Sequence, residues 1–215
     1  MSGKNDFGQS LPIGAHHYRA YVGPPEKYDL VGAMQFNLLT HLGLREFHYL
    51  LDIGCGSLRA GRLFIPYLLS GHYYGIEPQA WLVEEGLNNE LGREILQLKR
   101  PVFSHDSDFN CLRFDQKFDF VVAQSIFSHA SPAQIHQCLG EVGQSLQPTG
   151  IFAATFVAGK VDYQGERWVY PECVTYTPKQ MKQFAGDHNL IAETIDWPHP
   201  NGQTWLLIRR RANRI

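Results

Sequence analysis

Residues 50–57, Leu-Leu-Asp-Ile-Gly-Cys-Gly-Ser, decide how this chain is read. The apolar run over residues 48–53 closes on Gly54, which is the pattern of a buried strand. Gly54 and Gly56 stand one residue apart where that strand would pass into a helix. Glycines at such a bend let the backbone turn tightly and let a ligand approach it. The crevice beyond the carboxyl ends of the strands is where open α/β sheets bind their ligands. Any tight strand-to-helix turn favours glycine, so the motif alone leaves the ligand open.

Outward from this bend, strands and helices alternate. Residues 58–69 read as a helix, 73–77 as a second strand and 81–98 as a longer helical region. Residues 102–105 form a weak third strand and 118–124 a clearer fourth. Ser131-Pro132-Ala133-Gln134 starts a helix, with serine as N-cap, proline in the first position and glutamine in the third. Ile135, Leu139, Val142 and Leu146 share one face of it. Pro148-Thr149-Gly150 turns the chain into a strand at 151–156, and Thr177-Pro178-Lys179-Gln180 caps a further helix reaching about Asp187. Residues 191–196 and 205–210 read as strands joined by a turn-rich loop. Near the start, Leu30, Met34, Leu38 and Leu42 line a helix face, and Gly43 ends that helix in a left-handed conformation.

This order predicts an α/β fold: a doubly wound, seven-stranded, mostly parallel sheet with helices on both faces and a C-terminal antiparallel hairpin strand. Residues 24–215 are expected to form a single domain, and residues 1–23 an arm able to cap it through Tyr18, Arg19 and Tyr21. The segment 158–176, with Tyr163, Trp168, Tyr170 and Tyr176, is too long for an ordinary connection and reads as an aromatic loop walling a site.

Glu77 closes the second strand, roughly twenty residues past the glycines, where an acid can accept hydrogen bonds from both hydroxyls of a ribose. A dinucleotide turn needs a third glycine for its pyrophosphate, and that place holds Arg59. S-Adenosyl-L-methionine (SAM) has no phosphate, but it carries a carboxylate, an ammonium and a sulfonium. Asp52 before the first glycine suits a cationic ligand. Arg59, at a helix start, either meets the ligand carboxylate or is a solvated helix residue.

Four stretches resemble the class I SAM-dependent methyltransferases: LLDIGCGS (50–57), YYGIEP (73–78), KFDFVVAQSIFSH (117–129) and LQPTGIFAATF (146–156). The resemblance spans roughly residues 28–210. It implies that Asp52, Gly54, Cys55 and Gly56 form the SAM loop, that Glu77 with Pro78 holds the ribose, and that Gln124 lies under the methionine end. Asp108 and the backbone of Phe109 would flank the adenine, with Asp106 competing for that role. The commonest family loop has a third glycine where this chain has Leu58.

Methyl transfer is a displacement that mainly requires alignment of acceptor, methyl and leaving sulfur. A base is needed where the acceptor keeps its proton. His129, beyond the fourth strand, is the candidate, with a packing role as the alternative. Tyr21, Phe127, Ser128, Trp168, Tyr170, His199 and Gln203 are candidate acceptor-binding residues. The acceptor is expected to be a small molecule methylated on oxygen or nitrogen.

The 215 residues carry a formal charge of −2, which gives no electrostatic reason for a nucleic-acid partner. No D/N-P-P-Y-type tetrapeptide follows the fourth strand, as amino-methylating nucleic-acid enzymes of the superfamily usually have. The basic run Arg209, Arg210, Arg211 and Arg214 reads as a solvated tail. Cys55, Cys111, Cys138 and Cys173 are scattered without a secretory leader, pointing to a reduced cytoplasmic protein. No run approaches a membrane span, and no histidine or cysteine spacing suggests a metal. Two rivals stay open: a SAM-binding module without transfer activity, and a nicotinamide-dependent oxidoreductase. Oligomeric state is not legible.

Overall fold

The computed structural model describes residues 7–211; Arg214 lies outside them. Strands β1 (Leu50–Ile53), β2 (Tyr73–Ile76), β3 (Val102–Ser104), β4 (Phe118–Ala123), β5 (Leu146–Ala158), β7 (Leu190–Ile195) and β8 (Thr204–Arg210) form one sheet in the order β3-β2-β1-β4-β5-β8-β7. A two-residue strand, β6 (Thr175–Tyr176), pairs with the end of β5 and was not foreseen. The pairings are parallel except along β8, which runs antiparallel to both neighbours, with Ala153 opposite Leu207 and Ile195 opposite Trp205. This is the doubly wound sheet with a closing hairpin that the alternation of elements predicts.

Alternation along β1 shows how the sheet divides the core. Leu51 and Ile53 join one apolar cluster with Val121, Phe152 and Leu206, while Leu50 joins the opposite one with Phe64, Val122 and Leu207. Both faces of the strand are therefore buried, which is why residues 50–53 read as a continuous apolar run interrupted only by Asp52.

Helices α1 (Tyr28–His41), α2 (Gly61–Tyr67), α3 (Ala80–Gly86), α4 (Ile95–Lys99), α5 (Pro132–Ser145) and α6 (Pro178–Asp187) cover the sheet. The two capping signals form: Ser131 accepts from Gln134 N and the Gln134 side chain accepts from Ser131 N, while Thr177 accepts from Gln180 N. Four features differ from expectation. Leu30 is 57% exposed, and the inward face of α1 is carried by Tyr28, Val31, Gln35 and Leu38. A spacing of four drifts about 40° per step around a 3.6-residue helix, so that leucine line cannot stay on one face.

The helix expected from residue 58 begins at Gly61, because Leu58 adopts φ +60°. The helical region 81–98 is broken into α3, a π-turn over Leu87–Leu91 and α4, with Gly92 at φ +84° ending the π-turn. Leu146 opens β5 instead of closing α5. Between Phe118↔Leu146 and Phe120↔Ile151 the register jumps, and Pro148-Thr149-Gly150 falls in that irregularity.

Candidate functional site

The strand order reverses between β1 and β4, and a cavity of about 340 Å³ opens at the carboxyl ends of β1, β2 and β4. Its floor is the bend after β1. Gly54 (φ +70°) and Gly56 (φ +55°) take left-handed conformations there. A Cβ on Gly54 would lie 2.1 Å from Ile126 Cδ1, so any other residue would strain the backbone at this φ and push the Ile126 side chain aside. Gly54 N and Cys55 N both donate to Ile76 O, tying the bend to the tip of β2.

At that tip Glu77 faces the cavity. Its Oε2 accepts from Gly56 N at 3.0 Å and its Oε1 from Gln79 N at 2.9 Å. Burial raises its pKa, while those two N–H donors act in the opposite direction. Each carboxylate oxygen keeps a lone pair for a ligand hydroxyl. Pro78, Phe109 and Gln124 line the same cavity.

Asp106 and Asp108 are separated by geometry. Asp106 lines the cavity and pairs with Arg113, whereas Asp108 is exposed and caps its own turn by accepting from Asn110 N. Phe109 at φ +57° re-aims the chain after Asp108, which places its ring and not the Asp108 carboxylate at the wall.

Asp52, Cys55 and Arg59 lie behind the bend and not in the main cavity. They line a recess of about 20 Å³ that shares Val22, Gly54, Gly56 and Gln124 with it. Asp52 accepts from the Tyr73 hydroxyl at 2.9 Å, and burial raises its carboxyl to about 7. Cys55 turns its thiol toward Gly75, where an added Cβ would meet Sγ at 2.8 Å. Arg59 donates to Val22 O at 2.7 Å and to Gln124 Oε1, and Gln124 Nε2 reaches His199 Nε2 at 3.1 Å.

His129 lines the cavity beside Trp168 and Tyr170, with ring centroids 5.5 and 5.0 Å from its own. Its Nδ1 meets two carbonyls, Val169 O at 2.9 Å and Glu172 O at 2.7 Å. Carbonyls only accept, so Nδ1 carries the hydrogen and Nε2 the lone pair. Burial lowers the pKa and keeps the ring neutral near pH 7. The aromatic loop is fastened here, since Val169 N donates to His129 O and Val174 N to Ser128 O.

Of the expected acceptor residues, Tyr21, Trp168 and Tyr170 line the cavity. Phe127, Ser128, His199 and Gln203 do not. The turn begun by Ser125 at φ +62° sends Ile126 and His129 inward and buries Phe127 against Phe152 and Ser128 in the core. His199 stands behind Gln124. Gln203 accepts from Thr155 Oγ1 at 2.6 Å and donates to Ser125 Oγ, bracing the turn from outside.

The arm packs across the opening. The Tyr170 hydroxyl donates to Tyr21 O, and Arg19 with Tyr18 bonds Glu90 in the π-turn. Among those missed at the sequence level were Val22, Ile53, Ile76, Leu82, Ile126 and Gln134. Gln134 had a signal, its cap at Ser131, but the apolar walls carry none that distinguishes them from core.

Residues 51–152 match the family model of a methyltransferase domain. A SAM-dependent methyltransferase from Clostridium acetobutylicum superposes with TM-score 0.64 at 12% identity, over 86% of this chain and 92% of that one. Magnesium protoporphyrin IX methyltransferase from Synechocystis with bound SAM gives 0.63 at 15%, over 97% and 92%. The CcbJ methyltransferase from Streptomyces caelestis gives 0.63 at 14%, over 89% and 92%. At such identities the likeness establishes the fold.

Proposed function

Given a methyltransferase domain over residues 51–152, on the class I SAM-dependent methyltransferase fold, we propose that this enzyme transfers the methyl group of SAM to an oxygen or nitrogen of a small-molecule acceptor. The observation that carries this reading is Glu77, poised at the tip of β2 with its carboxylate joined to the glycine bend. A ribose presents two adjacent hydroxyls, and this carboxylate offers two adjacent acceptors. The residues fit the cofactor: a bend with left-handed glycines at Gly54 and Gly56, a cavity within the usual range of small-molecule sites, and a buried cation, Arg59, for a carboxylate.

In this reading Glu77 holds the ribose, Asp106 and Phe109 flank the adenine, and Gln124 and Arg59 receive the methionine end. Asp52 and Cys55 support the loop from behind. SAM, when bound, supplies an electrophilic methyl on a sulfonium. His129 Nε2 accepts the acceptor's proton, and Tyr21, Trp168 and Tyr170 exclude water and align the acceptor. No lysine or arginine lines the main cavity among the described residues, so the part of the acceptor that enters is not recognised through an anionic group. A nucleic acid is a poor fit to such a site. Four free cysteines suit a reducing compartment, and we place the protein in the cytoplasm.

The test is incubation with methyl-labelled SAM and a panel of hydroxylated and amino small molecules. Labelled product with release of S-adenosylhomocysteine is the expected result. SAM binding with no label transferred to any acceptor would favour a silent binding module, and NAD binding in place of SAM would overturn the reading.

A further inference from the structure

Gln134, the third residue of α5, is half-buried and lines the cavity. The start of that helix fixes how its amide is turned. Gln134 Oε1 accepts from Ser131 N at 3.0 Å, while Gln134 N donates to Ser131 Oγ at 3.4 Å. Turning the amide over would set its NH2 group against the Ser131 N–H, so the oxygen belongs to the cap and the nitrogen is left outside it. Gln134 Nε2 has no hydrogen-bond partner among the described residues. Glutamate would close the same cap and add a favourable charge to a first turn that holds no acidic residue. Glutamine supplies a pair of N–H donors in its place.

The same stretch of chain carries His129, and it is tied down along its length. His129 N donates to Ile126 O at 3.0 Å, and His129 O accepts from Val169 N at 2.8 Å. Ala130 O accepts from the Tyr176 hydroxyl at 2.8 Å, and Ile135 N closes the first helical turn on Ser131 O. His129 and Gln134 therefore reach the cavity from one preorganised segment, with opposite polarity. The histidine Nε2 offers only a lone pair, because the Val169 and Glu172 carbonyls claim Nδ1–H. The amide nitrogen offers only hydrogens. Trp168 and Tyr170 stand beside His129 as flat apolar walls. With no lysine or arginine in the lining among the described residues, an anionic partner for the amide would enter with its charge uncompensated.

Resting on the methyltransferase reading above, we propose that Gln134 is an acceptor-binding residue and that the acceptor is a ring compound bearing a hydroxyl and a second, neutral oxygen, an ether or a carbonyl. The hydroxyl to be methylated donates to His129 Nε2, and the second oxygen accepts from Gln134 Nε2. The ring packs on Trp168 and Tyr170. A ligand with carbon in place of that oxygen leaves the amide hydrogens dry and unpaired, which costs more than one hydrogen bond contributes.

The experiment compares isosteres on the complex with S-adenosylhomocysteine by calorimetry: 2-, 3- and 4-methoxyphenol against 2-, 3- and 4-ethylphenol, which differ only by oxygen in place of methylene. In the wild type at least one methoxyphenol is expected to bind about fivefold or more tightly than its ethyl counterpart, although the ethyl compound is the more apolar. Gln134→Glu keeps the cap and removes the donor. It should melt no lower than the wild type, bind S-adenosylhomocysteine within about twofold of wild type, and reverse the preference in favour of ethyl. A glutamine that serves only as a cap would leave the methoxy preference standing in Gln134→Glu, and that result would overturn the proposal. So would a wild type that prefers no methoxy isomer, or that binds none of the six phenols. Clearly weaker S-adenosylhomocysteine binding in the variant would put the amide at the cofactor and overturn it too. If Gln134→Glu does not fold, the wild-type comparison decides alone. A wild type that fails to bind S-adenosylhomocysteine would instead remove the methyltransferase reading itself.

Discussion

At the scale of single residues, two buried titratable groups give the site its pH behaviour. His129 is proposed to work in its neutral form, and burial lowers its pKa, so activity should fall only on acidification below about 6.5. His129→Ala should reduce kcat by about 10²–10⁴-fold and abolish that acid limb. A pH profile of initial rates checks both, and an unchanged limb in the variant would assign it to another group. Asp52 has the opposite signature. Its carboxyl is raised from 3.8 to about 7 by burial, so the protonated form is favoured in the folded state. Its contribution to stability is full below pH 3.8 and is lost as pH rises toward 7. Asp52→Asn should flatten that loss, read as the pH dependence of the urea midpoint without ligand. A slope equal to wild type would show that Asp52 titrates alike in the folded and unfolded chain.

At the scale of elements, the departure of Leu58 from the commonest loop pattern is a backbone matter. It sits at φ +60° with its side chain fully buried, where a left-handed conformation costs an L-residue about 1–2 kcal/mol. Leucine therefore stays for its packing, between Gly61 and Gly86. Leu58→Ala should destabilise by about 2–5 kcal/mol. Leu58→Gly should be no worse than Leu58→Ala, against the usual cost of glycine, and thermal melts of the pair decide it. The strands, the caps at Ser131 and Thr177, the bend and Glu77 were legible because each rests on local chemistry: apolar runs, a cap three residues from its partner, glycine where φ is positive. The break of the helix into a π-turn after Gly86 was not, because no proline or turn pair marks it in residues 81–91. Phe127 and Ser128 were placed at the opening because they neighbour His129, yet one turn of backbone at Ser125 sends them into the core. That Asp106 lines the cavity while Asp108 is exposed was legible only once Phe109 had fixed the direction of the loop.

At the scale of the whole molecule, the switch between β1 and β4 gathers groups from distant parts of the chain. The bend and Glu77 come from the first half, His129 from beyond β4, Trp168 and Tyr170 from the loop after β5, and Tyr21 from the arm. In the proposed reading the sheet holds the adenosine, and the arm and aromatic loop meet the acceptor and set substrate choice. All of this assumes an adenosyl ligand lying between the glycine bend and Glu77. Calorimetric titration of S-adenosylhomocysteine into wild type and Glu77→Ala, side by side, addresses that assumption most directly. One site should be filled in the wild type, with affinity about 10–100-fold weaker in the variant. Equal affinity in the two proteins would place the nucleoside elsewhere and contradict the account.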